Sequence, residues 1–266
     1  MTIYASRGIL LYCCVVAAVL GAVFGSFLNC AAWRLAHKEP FWKGRSRCPD
    51  CGHTLGVPDL VPVLSWLLLR GKCRHCGGKI SVRYPLTELF FAAVTVACLL
   101  RFDLTAECLR NWVFLCCLFC LSLVDLECCE IPDGCHIIAA AAWVIALPFM
   151  GMSLREILIH VVSGAGFGGG ILLISLVMDA VLHRESMGGG DIKLFAVMGL
   201  YLGPAASLFA LVLACILGLL FQLIRKAAGT GEEQIPFGPA IAAAAAVMLL
   251  WGGGMVRWYL SLLNLS

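Results

Sequence analysis

The chain has 266 residues, 61% of them hydrophobic and only 13% charged, with a net charge of +3 and a mean hydropathy of +0.95. A water-soluble domain of this length needs far more polar surface, so a soluble globular protein is excluded; apolar runs of about 18 or more residues mark membrane helices. The small net charge is uninformative as a total, and nothing in its distribution predicts a nucleic-acid partner.

Residues 1–7 are a short polar start and 8–32 form the first predicted span. Its apolar part is too long for a signal peptide, and Gly25-Ser26-Phe27-Leu28-Asn29 lacks the small-residue pattern of a cleavage site. Residues 33–84 are the only long polar segment. They hold ten of the nineteen Lys and Arg against three acids, Glu39, Asp50 and Asp59. Loops this basic stay in the cytoplasm, which places the N-terminus outside.

Within that loop lie Cys48-Pro49-Asp50-Cys51-Gly52 and Cys73-Arg74-His75-Cys76-Gly77, with 21 residues between the pairs. This is close to four-cysteine zinc spacing. Four thiolates make a closed tetrahedral site, which is structural rather than catalytic. The cations around them help keep sulfur ionised. Disulfides are the rival reading, but they rarely persist in the cytoplasm. His53 and His75 are spare donors that a four-sulfur set does not need. The other twelve cysteines lie in or beside apolar segments, where free cysteine packs as a small hydrophobe.

Seven further spans are predicted at 85–100, 108–124, 135–150, 157–182, 192–202, 205–224 and 236–262. The fold class is an all-α polytopic membrane protein of about eight transmembrane helices with a small cytoplasmic zinc-ribbon-like loop domain. The chain divides into a first helix (1–32), the zinc-binding loop (33–84) and a membrane core (85–266). An even count puts both termini outside and the connections 125–134, 183–191 and 225–235 inside. Span 192–202 is short enough to be partial. There is no internal repeat, and the alanine run 242–246 reads as close helix packing.

Two acids stand apart from the solvated ones. Asp125 directly follows the apolar run ending at Val124, whereas Glu127, Glu130 and Asp133 suit a solvated loop. Pro132 biases Ile131 away from helix, so a helix ends near there. The second acid, Asp191, closes Met187-Gly188-Gly189-Gly190 and is followed by Ile192 and Lys193. Glycine accepts backbone angles closed to other residues, so the run is expected to fold back, aim Asp191 inward and leave room for a peptide backbone. An ionisable group at membrane depth is a functional candidate, and the span count puts both acids on one face. Two carboxylates brought together share a proton. One polarises a scissile carbonyl while the other draws a proton from water. Asp179, within a span, is expected to be structural, paired with Arg184; Glu88, near the start of another, is expected to sit at the interface. Two other classes compete. A proton-coupled transporter would use Asp125, Asp179 and Asp191, but carriers usually show repeat symmetry. A membrane thiol-redox protein would use the C-x2-C pairs.

Taken together these motifs resemble the bifunctional type IV prepilin peptidases, membrane aspartic peptidases with a Gly-x-Gly-Asp motif. The resemblance covers nearly the whole chain. It rests on Gly25 to Asn29 with Arg34-Leu35, both C-x2-C pairs, Arg83-Tyr84-Pro85 with Glu88, and Asp125 with Ile131-Pro132-Asp133. It is completed by Gly188 to Asp191 and Pro236-Phe237-Gly238-Pro239. The cysteine pair Cys128-Cys129 departs from the family pattern. The resemblance implies cleavage of the basic leader of prepilins and type II secretion pseudopilins at the cytoplasmic face of the bacterial inner membrane. It further implies methylation of the new N-terminal amine with S-adenosylmethionine. By carry-over Asp125 and Asp191 are the catalytic pair, Gly188, Gly189 and Gly190 give the substrate-site backbone, and Cys48, Cys51, Cys73 and Cys76 hold structural zinc. No glycine-rich nucleotide fingerprint marks a site for the methyl donor. The acids around Asp125 suit a basic leader.

Overall fold

A computed structural model describes residues 3–40, 44–183, 186–229 and 236–262. They form eight α-helices: α1 (Arg7–Ala36), α2 (Leu64–Leu68), α3 (Arg83–Phe102), α4 (Ala106–Cys128), α5 (Asp133–Met150), α6 (Leu154–Leu182), α7 (Gly189–Ala227) and α8 (Gly238–Leu262). All but the five-residue α2 are long and apolar enough to cross a membrane. The chain forms two compact units, Met1–Trp112 and Val113–Ser266; α4 begins in the first and continues in the second.

In the first unit α1 packs along α3. Ser6 caps α1, its hydroxyl accepting the Ile9 amide at 3.2 Å. Ala17, Gly21, Gly25 and Ala32 form a buried small-residue stripe, spaced so that two backbones can approach closely. A methyl group on Gly21 would lie 2.8 Å from Cα of Ala92, and one on Gly25 3.1 Å from Cα of Glu88. Asn29 donates to Thr87 Oγ1 across the pair at 2.6 Å. The first-span motif is thus a helix-packing device. At the other end the Ile3 amide donates to Asp103 Oδ1 at 3.1 Å.

In the second unit α6 and α7 cross at glycines. A methyl group on Gly199 would lie 2.8 Å from Cα of Gly164. Tyr201 stacks on Phe114 at 4.0 Å and donates to the Ala139 carbonyl at 2.8 Å, tying α4, α5 and α7. The alanines Ala242, Ala244 and Ala245 of α8 are buried.

Helix α7 explains the span count. It runs for 39 residues and breaks at Gly203 (φ 73°, ψ 179°), followed by Pro204. A straight helix of that length would measure about 58 Å, twice the hydrocarbon thickness of a bilayer. Instead its two legs, 189–202 and 204–227, fold back on each other. Gly190 lies against Ile131, Gly218 lies against Phe237, and Gly238 lies against both Asp125 and Ile131, so both legs reach the same end of the unit. Six unbroken membrane-length helices and the two legs of α7 therefore give eight apolar segments, and 192–202 and 205–224 are the two legs of one hairpin. Pro204 has no N–H to offer the carbonyl of Leu200. His160 Nδ1 lies 2.9 Å from that oxygen and, as the Nδ1–H tautomer, donates to it.

Candidate active site and metal centre

Asp125 sits on the last turn of α4 and is 4% exposed. Its own carbonyl accepts the Cys129 amide at 2.9 Å, and Cys129 (φ 53°) turns the chain out of the helix. The carboxylate accepts from the backbone amide of Gly238, at 2.8 Å to Oδ2. That amide is free because it opens α8, where no preceding turn supplies a carbonyl. Glycine is required there: a methyl group would lie 2.7 Å from Oδ2 of Asp125 and 3.1 Å from Cδ1 of Ile131.

Asp191 sits on the first turn of α7, half-buried, its amide donating to the Gly188 carbonyl at 3.1 Å. Its Oδ1 is buried and has no hydrogen-bond partner among the described residues. Ile131 joins the two acids. Its side chain touches Gly238 beside Asp125 and also Gly190, where a methyl group would lie 2.8 Å from its Cβ. Lys193 and Asp133 form a 2.6 Å ion pair between the starts of α7 and α5. His136, one turn beyond Asp133, is buried, and neither ring nitrogen has a hydrogen-bond partner among the described residues.

The glycine run works differently from expectation. None of Gly188, Gly189 and Gly190 has positive φ; Gly188 is the extended N-cap (φ −66°, ψ 140°) and the other two open the helix. The residue that must lack a side chain is Gly190, because of Ile131. Gly188 and Gly189 are exposed, and a methyl group on Gly189 would meet nothing within 4 Å.

Other acids fall where solvation places them. Glu127, Glu130 and Asp133 are exposed. Asp179 Oδ1 accepts the Ser186 amide at 2.6 Å, a structural role; Arg184 lies outside the described residues. Glu88 is buried and accepts the Val63 amide at 2.8 Å. Sequence reasoning missed the Gly238 donor and the Ile131 wedge. The signal for Gly238 was its place between Phe237 and Pro239 at a helix start, but its target is 113 residues away.

The four loop cysteines converge: one sulfur of each of Cys48, Cys51, Cys73 and Cys76 lies within 4.8 Å of the others, and Cys48 and Cys76 sulfurs are 3.9 Å apart. Tetrahedral Zn–S bonds of about 2.3 Å require sulfurs about 3.8 Å apart, so the set fits zinc. Two similar knuckles build it. Gly52 donates to the Cys48 carbonyl at 2.9 Å and Gly77 to that of Cys73 at 3.0 Å. These glycines have φ of 69° and 72°, which side chains rarely adopt. Isolated antiparallel bridges Arg47–Thr54 and Lys72–Lys79 close each knuckle. Amides of Cys76 and His75 point at the Cys73 sulfur and hold its thiol down at about 7. At Cys76 the Gly78 amide acts the same way, but burial and the neighbouring thiols outweigh it and push that thiol up to about 12. Thiols packed like this cannot all ionise without a cation among them.

Two family models match the chain: the bacterial peptidase A24 N-terminal domain over residues 19–102 and the type IV leader peptidase family over residues 112–223. A prepilin leader peptidase/N-methyltransferase of Bacillus subtilis is 32% identical over 250 residues, covering 92% of this chain and 96% of that protein. One of Myxococcus xanthus is 38% identical over 229 residues, 84% of this chain and 67% of that protein. One of Aeromonas salmonicida is 36% identical over 232 residues, 82% and 75% respectively. No solved structure matches.

Proposed function

The chain belongs to the type IV leader peptidase family, and from that premise we propose that Asp125 and Asp191 are the catalytic pair of a prepilin peptidase. The observation that carries this is the join between the acids. Asp125 is fixed by the Gly238 amide, Ile131 links that fixture to Gly190, and Asp191 keeps a buried oxygen with no partner among the described residues. A buried carboxylate oxygen without a donor is costly, and a water or a substrate group is its natural partner. One acid, charged, takes a proton from the attacking water. The other, protonated, donates to the scissile carbonyl, and the proton returns as the tetrahedral centre collapses. The pair titrates as a unit. Gly188 and Gly189, exposed and without side chains, let a substrate backbone pass close to Asp191.

The substrates are prepilins and type II secretion pseudopilins, with the active site and the loop 33–84 on the cytoplasmic side of the inner membrane and the N-terminus outside. Cys48, Cys51, Cys73 and Cys76 hold zinc in a structural role between the first helix (1–32) and the membrane core (85–266). After cleavage the same protein methylates the new N-terminus; S-adenosylmethionine supplies the methyl group, and no residue is assigned to hold it. Nothing in the comparisons favours a proton-coupled transporter or a thiol-redox protein.

The test is leader cleavage by Asp125→Asn and Asp191→Asn in membrane-inserted protein with its zinc content intact. Each variant is expected to lose cleavage; full activity in either would falsify the assignment. Transfer of a labelled methyl group to cleaved pilin tests the second activity, and an active peptidase that transfers none refutes it.

A further inference from the structure

The zinc loop carries an apolar ledge that its own fold does not use. Residues 64, 67 and 68 share one face of α2, and Leu64, Leu67 and Leu68 are 58%, 56% and 83% exposed. Val57 and Leu60, just upstream, are exposed as well. The opposite side of α2 is committed: Trp66 donates to the Ile80 carbonyl at 3.1 Å and packs over Gly71. The leucines therefore point away from the loop's own packing.

The depth of this ledge is fixed. Val63, the N-cap of α2, donates its amide to Glu88, which lies about 7.5 Å into α3 at 1.5 Å per residue. Val63 is held there at φ 61° and ψ −50°, a conformation costly for a β-branched residue. Nearby, Leu86, Leu89 and Phe90 of α3 are already exposed apolar surface of a membrane-length helix. The start of α2 thus lies beside the first turns of a membrane-length helix. Charge agrees. Residues 60–83 hold Arg70, Lys72, Arg74, Lys79 and Arg83 and no acid; Arg74 is paired with Asp59 just upstream at 2.8 Å, and the remaining excess of cations suits an anionic surface.

We propose that α2 is an interfacial anchor: Leu64, Leu67 and Leu68 insert into the headgroup–acyl boundary of an anionic bilayer and the adjacent cations face its phosphates. An apolar helix face beside cations is the usual make-up of such anchors. The zinc centre is thereby held against the membrane surface, whatever the enzyme's substrate.

Full-length protein carrying the photoreactive p-benzoyl-phenylalanine in place of Leu68, or of His53 beside the cysteine centre, is reconstituted in phosphatidylcholine vesicles with and without phosphatidylglycerol. Irradiation is followed by mass analysis of adducts. Because Leu68 is 83% exposed, its replacement leaves packing untouched; Leu64 is the second position. Lipid adducts are expected at position 68 about tenfold above position 53, rising about threefold with the anionic lipid. Equal labelling at both positions, adducts to protein instead of lipid at 64 and 68, or no response to phosphatidylglycerol would each overturn the anchor.

Discussion

The chain gathers reactive side chains in two places, and the two centres are built on opposite plans. The four cysteines are brought together by two short knuckles, each local in sequence, and their sulfurs all lie within 4.8 Å of one another, a spacing that suits a single ion. The two aspartates come from the ends of distant helices and are joined by an amide and an isoleucine. One of them is left with a buried oxygen that has no partner among the described residues. The proposed roles ask for that contrast: a centre that holds structure closes every valence, and a centre that does chemistry keeps one open. The difference also shows in tolerance. The cysteine centre depends on glycines for their backbone angle, whereas the aspartate centre depends on them for close approach.

The sharpest separation of the two comes from removing the metal. Zinc binding to such sites is worth on the order of 10 kcal/mol, so a strong chelator or Cys48→Ser is expected to unfold the knuckles. Amide exchange should accelerate across 45–80 while amides in 194–201 stay protected, and zinc should fall from about one per chain. Affinity should also fall with pH, because protons compete for the thiolates. Knuckles that stay protected without metal would end the structural reading.

Next in size, Asp125→Asn or Asp191→Asn is expected to lower leader cleavage by about 10²- to 10⁴-fold with zinc retained. Gly190→Ala should follow, at about 10- to 100-fold, because the new methyl group drives Ile131 and the helix start apart. Ile131→Ala in the same chain should recover part of that loss, and no recovery would remove Ile131 as the wedge. Smallest is Lys193→Ala. Its ion pair with Asp133 is 54% and 62% exposed, so at most about 1 kcal/mol is at stake. A few-fold drop that disappears in high salt is expected, and a larger salt-independent one would mean that Lys193 touches the substrate.

Much of this was legible in residues alone. Hydropathy located the apolar segments because lipid demands it, and the predicted break between 202 and 205 falls on the Gly203–Pro204 turn. The C-x2-C-Gly pairs predicted the knuckles because each is closed within a few residues. The separation of Asp125 from Glu127, Glu130 and Asp133 followed from its apolar flank and matches their burial. The Gly238 amide and the Ile131 wedge were not legible, since no local pattern encodes a contact spanning about a hundred residues. The role of Gly190 was also misread. A run of glycines suggests unusual angles, while the constraint lies in what stands opposite.

The hairpin in α7 bears on where hydrolysis can happen. Its first leg is about 21 Å long, against a hydrocarbon slab of about 30 Å. A leg that short leaves its Asp191 end recessed below the lipid headgroups unless the bilayer dimples to meet it. A water-filled notch beside the acyl chains would let a peptide bond meet water without leaving the membrane. Cleavage should then quicken as acyl chains shorten; a rate indifferent to bilayer thickness would count against the notch.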